Sequence, residues 1–362
     1  MEDKSLMQKL QNLSDLGLAV LICLVAHEHC LIETTLSSLD DATHELELTL
    51  TEIFRLRYVT IECSKSTTPD EFANLILLTE TNTTRSDTPT RNRHERFYNP
   101  ATFQSCSRSS ASKTQLTPAS IFNVIIAKNL NHTSKRVQNQ VLELVKTGRL
   151  LSRTSTHNVP KQFLFVTVLA AGEGPGLIKH LNDYIFISHF HRPLNRLEYK
   201  EEDLHEDSSS SSSVVKFSSS HQDSSKISSQ PIVSLQEIEK LSELCKSVMV
   251  SMEVKQYQMD IISFLRIHRA VAGGITASAT KLFDKLAKCL ATLHDLTFVT
   301  PSLITLAAKK IYMHRIQIVK PENERSMQWG SDIEAVAALL KGVTVEDILE
   351  EVLGDSGAEA PF

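Results

Sequence analysis

Two hydrophobic rhythms divide the chain, one before residue 200 and one after 230. In the first part, five short runs are rich in β-formers and nearly continuous in apolar character: His29 to Glu33, Tyr58 to Glu62, Asn123 to Ala127, Phe163 to Leu169 and Tyr184 to Ser188. Unbroken apolar runs of this length, rather than alternating ones, are the pattern of parallel strands covered on both faces. Between them the period turns helical. Leu16 to Ala26 reads as a core helix ahead of the first strand, and Val137, Val141, Leu144 and Val145 share one face of a segment that Ser134 can cap and Gly148 can close. Strand and helix alternate, which predicts an α/β unit: a five-stranded, mostly parallel sheet with flanking helices.

After residue 230 the period is helical throughout. Leu235 to Val250 and Val254 to Ala270 are long periodic segments, and Gly273-Gly274 separates the second from a stripe of Leu282, Leu286, Leu290 and Leu293. Pro301 opens another helix with Leu303, Leu306, Ala307 and Ile311 inward, and Asp332 to Leu353 reads as a last amphipathic piece of a small all-helical domain. Two segments lack any period. Thr81 to Ser120 is rich in Thr, Ser and Arg with three prolines, so it is expected to be a disordered polar insertion. From Ser208 to Ser229, 13 of 22 residues are serine, flanked by Glu201, Glu202, Asp203, Glu206 and Asp207, which predicts a solvated linker. The expected order is a first half of the α/β core over 1–80, the insertion over 81–120, the second half over 121–200, the linker over 201–230, a helical domain over 231–320 and a helical tail over 321–362.

Composition narrows the classes. A chain of 362 residues, 41% hydrophobic, can bury more than one core, while a formal charge of −5 gives no overall attraction to nucleic acid or anionic lipid. Arg85, Arg91, Arg93 and Arg96 make the insertion locally basic; such a cluster is either solvated or a nucleic-acid contact, and nucleic acid is not the expected partner. The six cysteines form no C-x-x-C pair, which predicts buried thiols in a reducing compartment rather than a zinc knuckle. Leu16 to Ala26 is shorter than a membrane span and has no basic head before it. The expectation is a cytoplasmic or nuclear protein with no signal peptide, transit peptide or transmembrane segment. His189 and His191 lie on one side of an extended segment without a third ligand at suitable spacing, and His27-Glu28-His29-Cys30 reads as a packed junction, so no metal site is expected. No G-x-S-x-G elbow or Cys/His nucleophile context is present.

Four stretches carry a family likeness: Lys135-Arg136-Val137-Gln138 followed by Leu142-Glu143-Leu144, the FLFVTVLA strand from Phe163, His268-Arg269-Ala270-Val271-Ala272-Gly273-Gly274, and Ser326-Met327-Gln328-Trp329-Gly330-Ser331-Asp332. With these the chain resembles the MoxR and magnesium chelatase ATPase-subunit branch of AAA+ proteins, in particular fungal proteins labelled magnesium chelatase. The resemblance spans nearly everything outside the two low-complexity segments. It implies an AAA+ sheet followed by a helical lid, with ATP and Mg²⁺ held at the strand tips.

The residues that would hold them depart from the family pattern. No glycine lies between Gly17 and Gly148, and the turn after the first strand, where the family has G-x-x-x-x-G-K-[ST], reads Glu33-Thr34-Thr35-Leu36-Ser37-Ser38-Leu39-Asp40-Asp41. That turn offers no cheap positive φ and no phosphate-binding lysine, and it places two carboxylates at the phosphate position. Where the family has two magnesium-binding acids at the end of the third strand, this chain has Ala127-Lys128. The fourth strand ends Leu169-Ala170-Ala171 instead of in a water-orienting Asn, with Glu173 just beyond as the one candidate replacement. Asn182-Asp183 stand at the arginine-finger position, and Thr276, Ala277, Ser278 and Ala279 where a lid arginine is expected. The resulting expectation is a pseudo-ATPase with no nucleotide or metal cofactor, acting as a scaffold or partner-binding subunit for protein partners that include AAA+ ring neighbours. Its partner strip is Arg325, Met327, Gln328 and Trp329; the competing reading has Trp329 packing the tail against the lid. Two functional alternatives stand beside it: a working ATPase using ATP and Mg²⁺ to drive metal insertion into a porphyrin, and a nucleic-acid adaptor.

Overall fold

β1 (Cys30–Thr34), β2 (Tyr58–Glu62), β3 (Val124–Lys128), β4 (Leu164–Ala170) and β5 (Ile187–Phe190) form one wholly parallel sheet in the order β2-β3-β4-β1-β5. The computed structural model describes residues 2–78, 120–152, 155–172, 176–192, 231–354 and 357–361. Outside them lie the insertion up to residue 119, its four arginines, Cys106, Glu173 and the serine-rich linker. Ser120, expected inside the insertion, is part of a strand: Ser120–Ile121 pairs antiparallel with Leu77–Leu78.

Alternation along the strands feeds two cores. Val124 and Ile126 of β3 face one side and Ile125 and Ala127 the other, and all four are fully buried. The second face is covered by α4 (Pro69–Ile76) and α5 (Lys135–Thr147), which contribute Phe72, Val137, Val141 and Leu144. Gly148 ends α5 at φ 65 as the sequence predicts, but Ser134 sits at the N-cap without accepting a hydrogen bond there. The first face is covered by α2 (Asp15–Ala26), by α3 (Leu39–Leu48) and by a wider helical turn that carries α3 on through Thr49–Phe54. A helix the sequence reading passed over, α1 (Glu2–Gln11), adds Leu6 and Leu10. The fifth strand begins later than its apolar run because Lys179–Tyr184 forms a short helix, α6.

The second part is helical, with α7 (Leu235–Ser247), α8 (Met252–Ile267), α9 (Ala277–Leu293), α10 (Pro301–Tyr312), α11 (Ile333–Leu340) and α12 (Val345–Leu353), but not all-helical as expected, since Val271–Gly273 pairs antiparallel with Gln317–Ile318. The last two helices correct the single helix expected over Asp332–Leu353. Gly342 takes φ 82, and Thr344 and Asp347 form a capping box that starts a new helix. Leu306 is another correction, being 40% exposed rather than inward.

This helical part is not a loosely hinged appendage. Ile261, Phe283, Leu286 and Ile311 belong to the same apolar cluster as Leu21, Ile32, Leu46 and Val166 of the α/β part. Lys9–Glu237 at 2.8 Å and Lys285–Glu28 at 2.5 Å bridge the two parts at the rim.

Candidate functional site

Parallel sheets bind ligands outside the carboxyl ends of their strands. In this sheet Glu62 pairs in register with Lys128 and Thr34 with Ala170, while Lys128 lies opposite Val168, so β2 and β3 end two residues short of β1 and β4. Thr34 is fully buried with no partner for its hydroxyl. Thr35 continues extended, a single tight turn follows over Leu36–Ser38, and α3 begins at Leu39. The Thr35 hydroxyl lies 3.3 Å from that of Ser37 and donates to Ser38 Oγ at 3.0 Å, so these groups close on one another rather than around an open space.

The first turn of a helix exposes backbone N–H groups and positive dipole, which is why such turns attract phosphate. Here that turn carries Asp40 and Asp41. Lys128, at the tip of β3, directs its ammonium onto Asp40 Oδ1, and Glu62 Oε1 lies 3.9 Å from the same nitrogen. The lysine side chain is 12% exposed while those of Asp40 and Glu62 are 84% and 77% exposed. One cation thus meets two carboxylates, Asp40 and Glu62, and with Asp41 in the same helical turn the excess charge is negative. An ammonium cannot ligate a divalent cation, and carboxylates facing a helix N-terminus compete with a phosphate for the same N–H groups. Sequence reasoning singled out Asp40 and Lys128 separately; it missed Glu62, which only strand register places beside Lys128.

The remaining departures have structural employment. Ala171 N–H donates to the Thr34 carbonyl at 2.8 Å, stitching the end of β4 to β1. At the arginine-finger position, Asn182 Nδ2 donates to the His314 carbonyl at 2.5 Å and Asp183 Oδ1 accepts from Thr276 Oγ1 at 2.7 Å. Thr276 in turn caps α9 by accepting from Ala279 N–H. These side chains join α/β part to lid. The same joint holds Arg315, 2% exposed, which donates to the carbonyls of Phe186 at 3.2 Å and Asp183 at 3.3 Å, and to those of Ile185 and Ile311. No motif pointed to this arginine.

Of the partner strip, Arg325 donates to the carbonyls of Arg266 at 2.7 Å and Ile267 at 3.2 Å, tying off the end of α8. Met327 is half-buried, Gln328 exposed, and Trp329 is 86% exposed. Trp329 therefore does not pack the tail against the lid. His191 and His189 are both buried. His191 Nε2 lies 2.9 Å from Glu45 Oε2, and the two imidazoles are 5.9 Å apart. Among the described residues no group of three or more His, Cys, Asp or Glu side chains could hold a metal. His29 accepts from Phe165 N–H at 3.1 Å inside the junction it was expected to form, and the five described cysteines are buried free thiols. No described helix is long and apolar enough to cross a membrane.

No family model matches the chain. Among solved structures it is similar to an inferred ATPase from Cytophaga hutchinsonii, with 16% identity, a TM-score of 0.59 and coverage of 95% of this chain and 97% of that one. The fold is of the AAA+ type. A full-length MCM homologue from Methanopyrus kandleri matches at a TM-score of 0.43 and 8% identity over 82% of this chain and 55% of that one, a likeness too weak to build on. Among curated proteins, "Maintenance of telomere capping protein 2" of Lachancea thermotolerans is 29% identical over 103 residues, which is 27% of this chain. The match spans 36% of that relative's length.

Proposed function

We propose that this protein is an AAA+-type chain that does not use nucleotide and serves as a rigid, partner-binding subunit. The observation that carries the reading is the Lys128–Asp40 pair, with Asp41 and Glu62 beside it, at the place where an AAA+ ATPase holds a triphosphate and its magnesium. Both sides of the usual arrangement are altered: acids stand on the loop side and a lysine on the strand side, so their mutual attraction fills the tip region with an internal pair. The shared core of α/β part and lid supports the same reading, because a motor's lid must move against its body whereas a scaffold's need not. A sheet with its phosphate machinery replaced but its joints elaborated is suited to presenting surface. Trp329, with Arg325 beside it, is the element of that surface most suited to anchor a partner. The name of the telomere-capping relative supports a nuclear setting and a protein complex as the place of action, in preference to porphyrin metallation.

The test is a thermal melt with millimolar Mg-ATP. A ligand at about 100 times its dissociation constant stabilises the native state by roughly 2.7 kcal/mol, a shift of several degrees for a chain of this size. The expected outcome is no shift. A reproducible rise of that order, abolished by chelating magnesium, would return the chain to the working ATPases.

A further inference from the structure

A cavity of about 650 Å³ lies between α2, the edge strand β5 and the lid helices α9 and α10, with the end of α1 at its mouth. None of the strand-tip residues Thr34 to Asp41 or Lys128 lines it. Its size falls in the range of pockets that enclose a whole small molecule. The walls are aliphatic: Leu18 and Ile22 from α2, Leu286 and Leu290 from α9, Leu306 from α10. This is the space that Leu306, expected inward from its helical period, looks across.

Of the polar side chains in the lining, Gln11, Asp15, His294 and Asp295 are exposed, while His189 of β5 and Lys310 of α10 lie deeper. His189 is 9% exposed. Its Nδ1 lies 3.5 Å from Lys310 Nζ. An ammonium can only donate, so Nδ1 is the accepting nitrogen and Nε2 carries the hydrogen. That buried Nε2 has no hydrogen-bond partner. Among the described residues no carboxylate lies within ion-pair distance of Lys310 either. Burial pushes His189 down to about 4, with the Lys310 charge acting in the same direction, and burial likewise holds Lys310 below the usual lysine range. Asp15 at the mouth opposes both shifts. With Asp295 it is exposed, so its effect on an incoming anion is screened by solvent, whereas the charge of Lys310 inside is not. The wall of this cavity thus carries a lysine with no described acid in ion-pair distance, next to a histidine ring that offers it only a neutral nitrogen.

We propose that the cavity binds a fatty carboxylate of medium chain length, its alkyl chain between α2 and α9 and its carboxylate accepting from Lys310 Nζ. An apolar slot alone accepts any oily molecule; the lysine selects one that ends in an anionic acceptor. An ammonium-headed amphiphile of the same length would meet Lys310 with like charge.

Calorimetric titration of the full chain tests this, using dodecanoate and dodecyltrimethylammonium below their micelle-forming concentrations and methyl dodecanoate below its solubility limit. Dodecanoate is expected to bind one per chain, at least tenfold tighter than the ammonium amphiphile. Lys310→Met keeps the aliphatic stem and removes the charge; it should weaken dodecanoate at least tenfold and leave the ester within about twofold. Leu290→Trp fills the slot and should abolish binding of both. Should that variant fail to fold, Leu306→Trp at the more exposed wall serves in its place, expected to weaken dodecanoate and the ester alike. The proposal is overturned if dodecanoate does not bind, if the ammonium amphiphile binds as well, or if Lys310→Met binds dodecanoate like the parent protein.

Discussion

Lys128 and Asp40 show what single residues reveal and what they withhold. Each breaks the pattern of the family the sequence resembles and could be recognised alone; that they pair could not, because 88 positions separate them and only the β1–β4 and β3–β4 registers and the start of α3 bring them together. The pair itself adds little stability, since Asp40 is largely exposed: a double-mutant cycle of Lys128→Met with Asp40→Asn should give a coupling of about 0.2–1 kcal/mol. A value of several kcal/mol would mean the acid is far less solvated than it stands here. His29 has the larger effect on folding. Burial among Phe163, Phe165 and the start of β1 pushes it down to about 4, so the folded chain keeps it neutral while the unfolded chain protonates it near 6.5. Its contribution is therefore complete above about pH 6.5 and lost as pH falls from there toward 4, with a slope of up to about 1.4 kcal/mol per pH unit. Urea melts between pH 7 and 5 measure it. His29→Gln, which retains a polar side chain without the titration, should flatten that slope, and an unchanged slope would assign the acid sensitivity to other groups such as His189.

At the scale of elements, strands and long helices were legible because their periods are set by burial on fixed faces: β3 and β4 are covered on both sides and read as unbroken apolar runs. What escaped the sequence was local chemistry. The helix break at Gly342 looks in the sequence like a tolerated glycine within a periodic stretch, and Ser134 looks like a cap although it makes no capping bond. Arg315 was invisible because a buried arginine satisfied by backbone carbonyls leaves no sequence signature. The Gly273-Gly274 pair was noticed as a separator, and the structure distinguishes its members. Gly274 adopts φ 103, and a Cβ there would lie 2.0 Å from the Arg315 carbonyl oxygen; Gly273 has no neighbour nearer than 3.9 Å. Gly274→Ala should therefore destabilise by well over 1 kcal/mol by forcing the Arg315 turn off the end of β5, while Gly273→Ala should change the melt by no more than about 1 kcal/mol. Equal effects at the two positions would remove close backbone approach as the reason for the pair.

At the scale of the whole molecule, the α/β part and the lid behave as one body because Phe283, Leu286 and Ile311 are buried with Ile32 and Val166 in a common cluster, and because Arg315, Asn182 and Asp183 lace the joint. A body of this kind presents any surface feature at a fixed position, which suits the scaffold role proposed above and makes Trp329 its most informative residue. An indole 86% exposed contributes almost nothing to folding, and an interface that buries it would draw on one of the side chains that most often dominate binding. Trp329→Ala should leave unfolding free energy within about 0.5 kcal/mol of the parent. It should also sharply reduce recovery of the partner that the parent chain retains from native extract, while Gln328→Ala, which removes little apolar surface, should retain it. A loss of roughly 3–5 kcal/mol in stability would instead mark Trp329 as a core residue, and unchanged melt together with undiminished partner recovery would move the binding surface away from the Arg325–Trp329 strip.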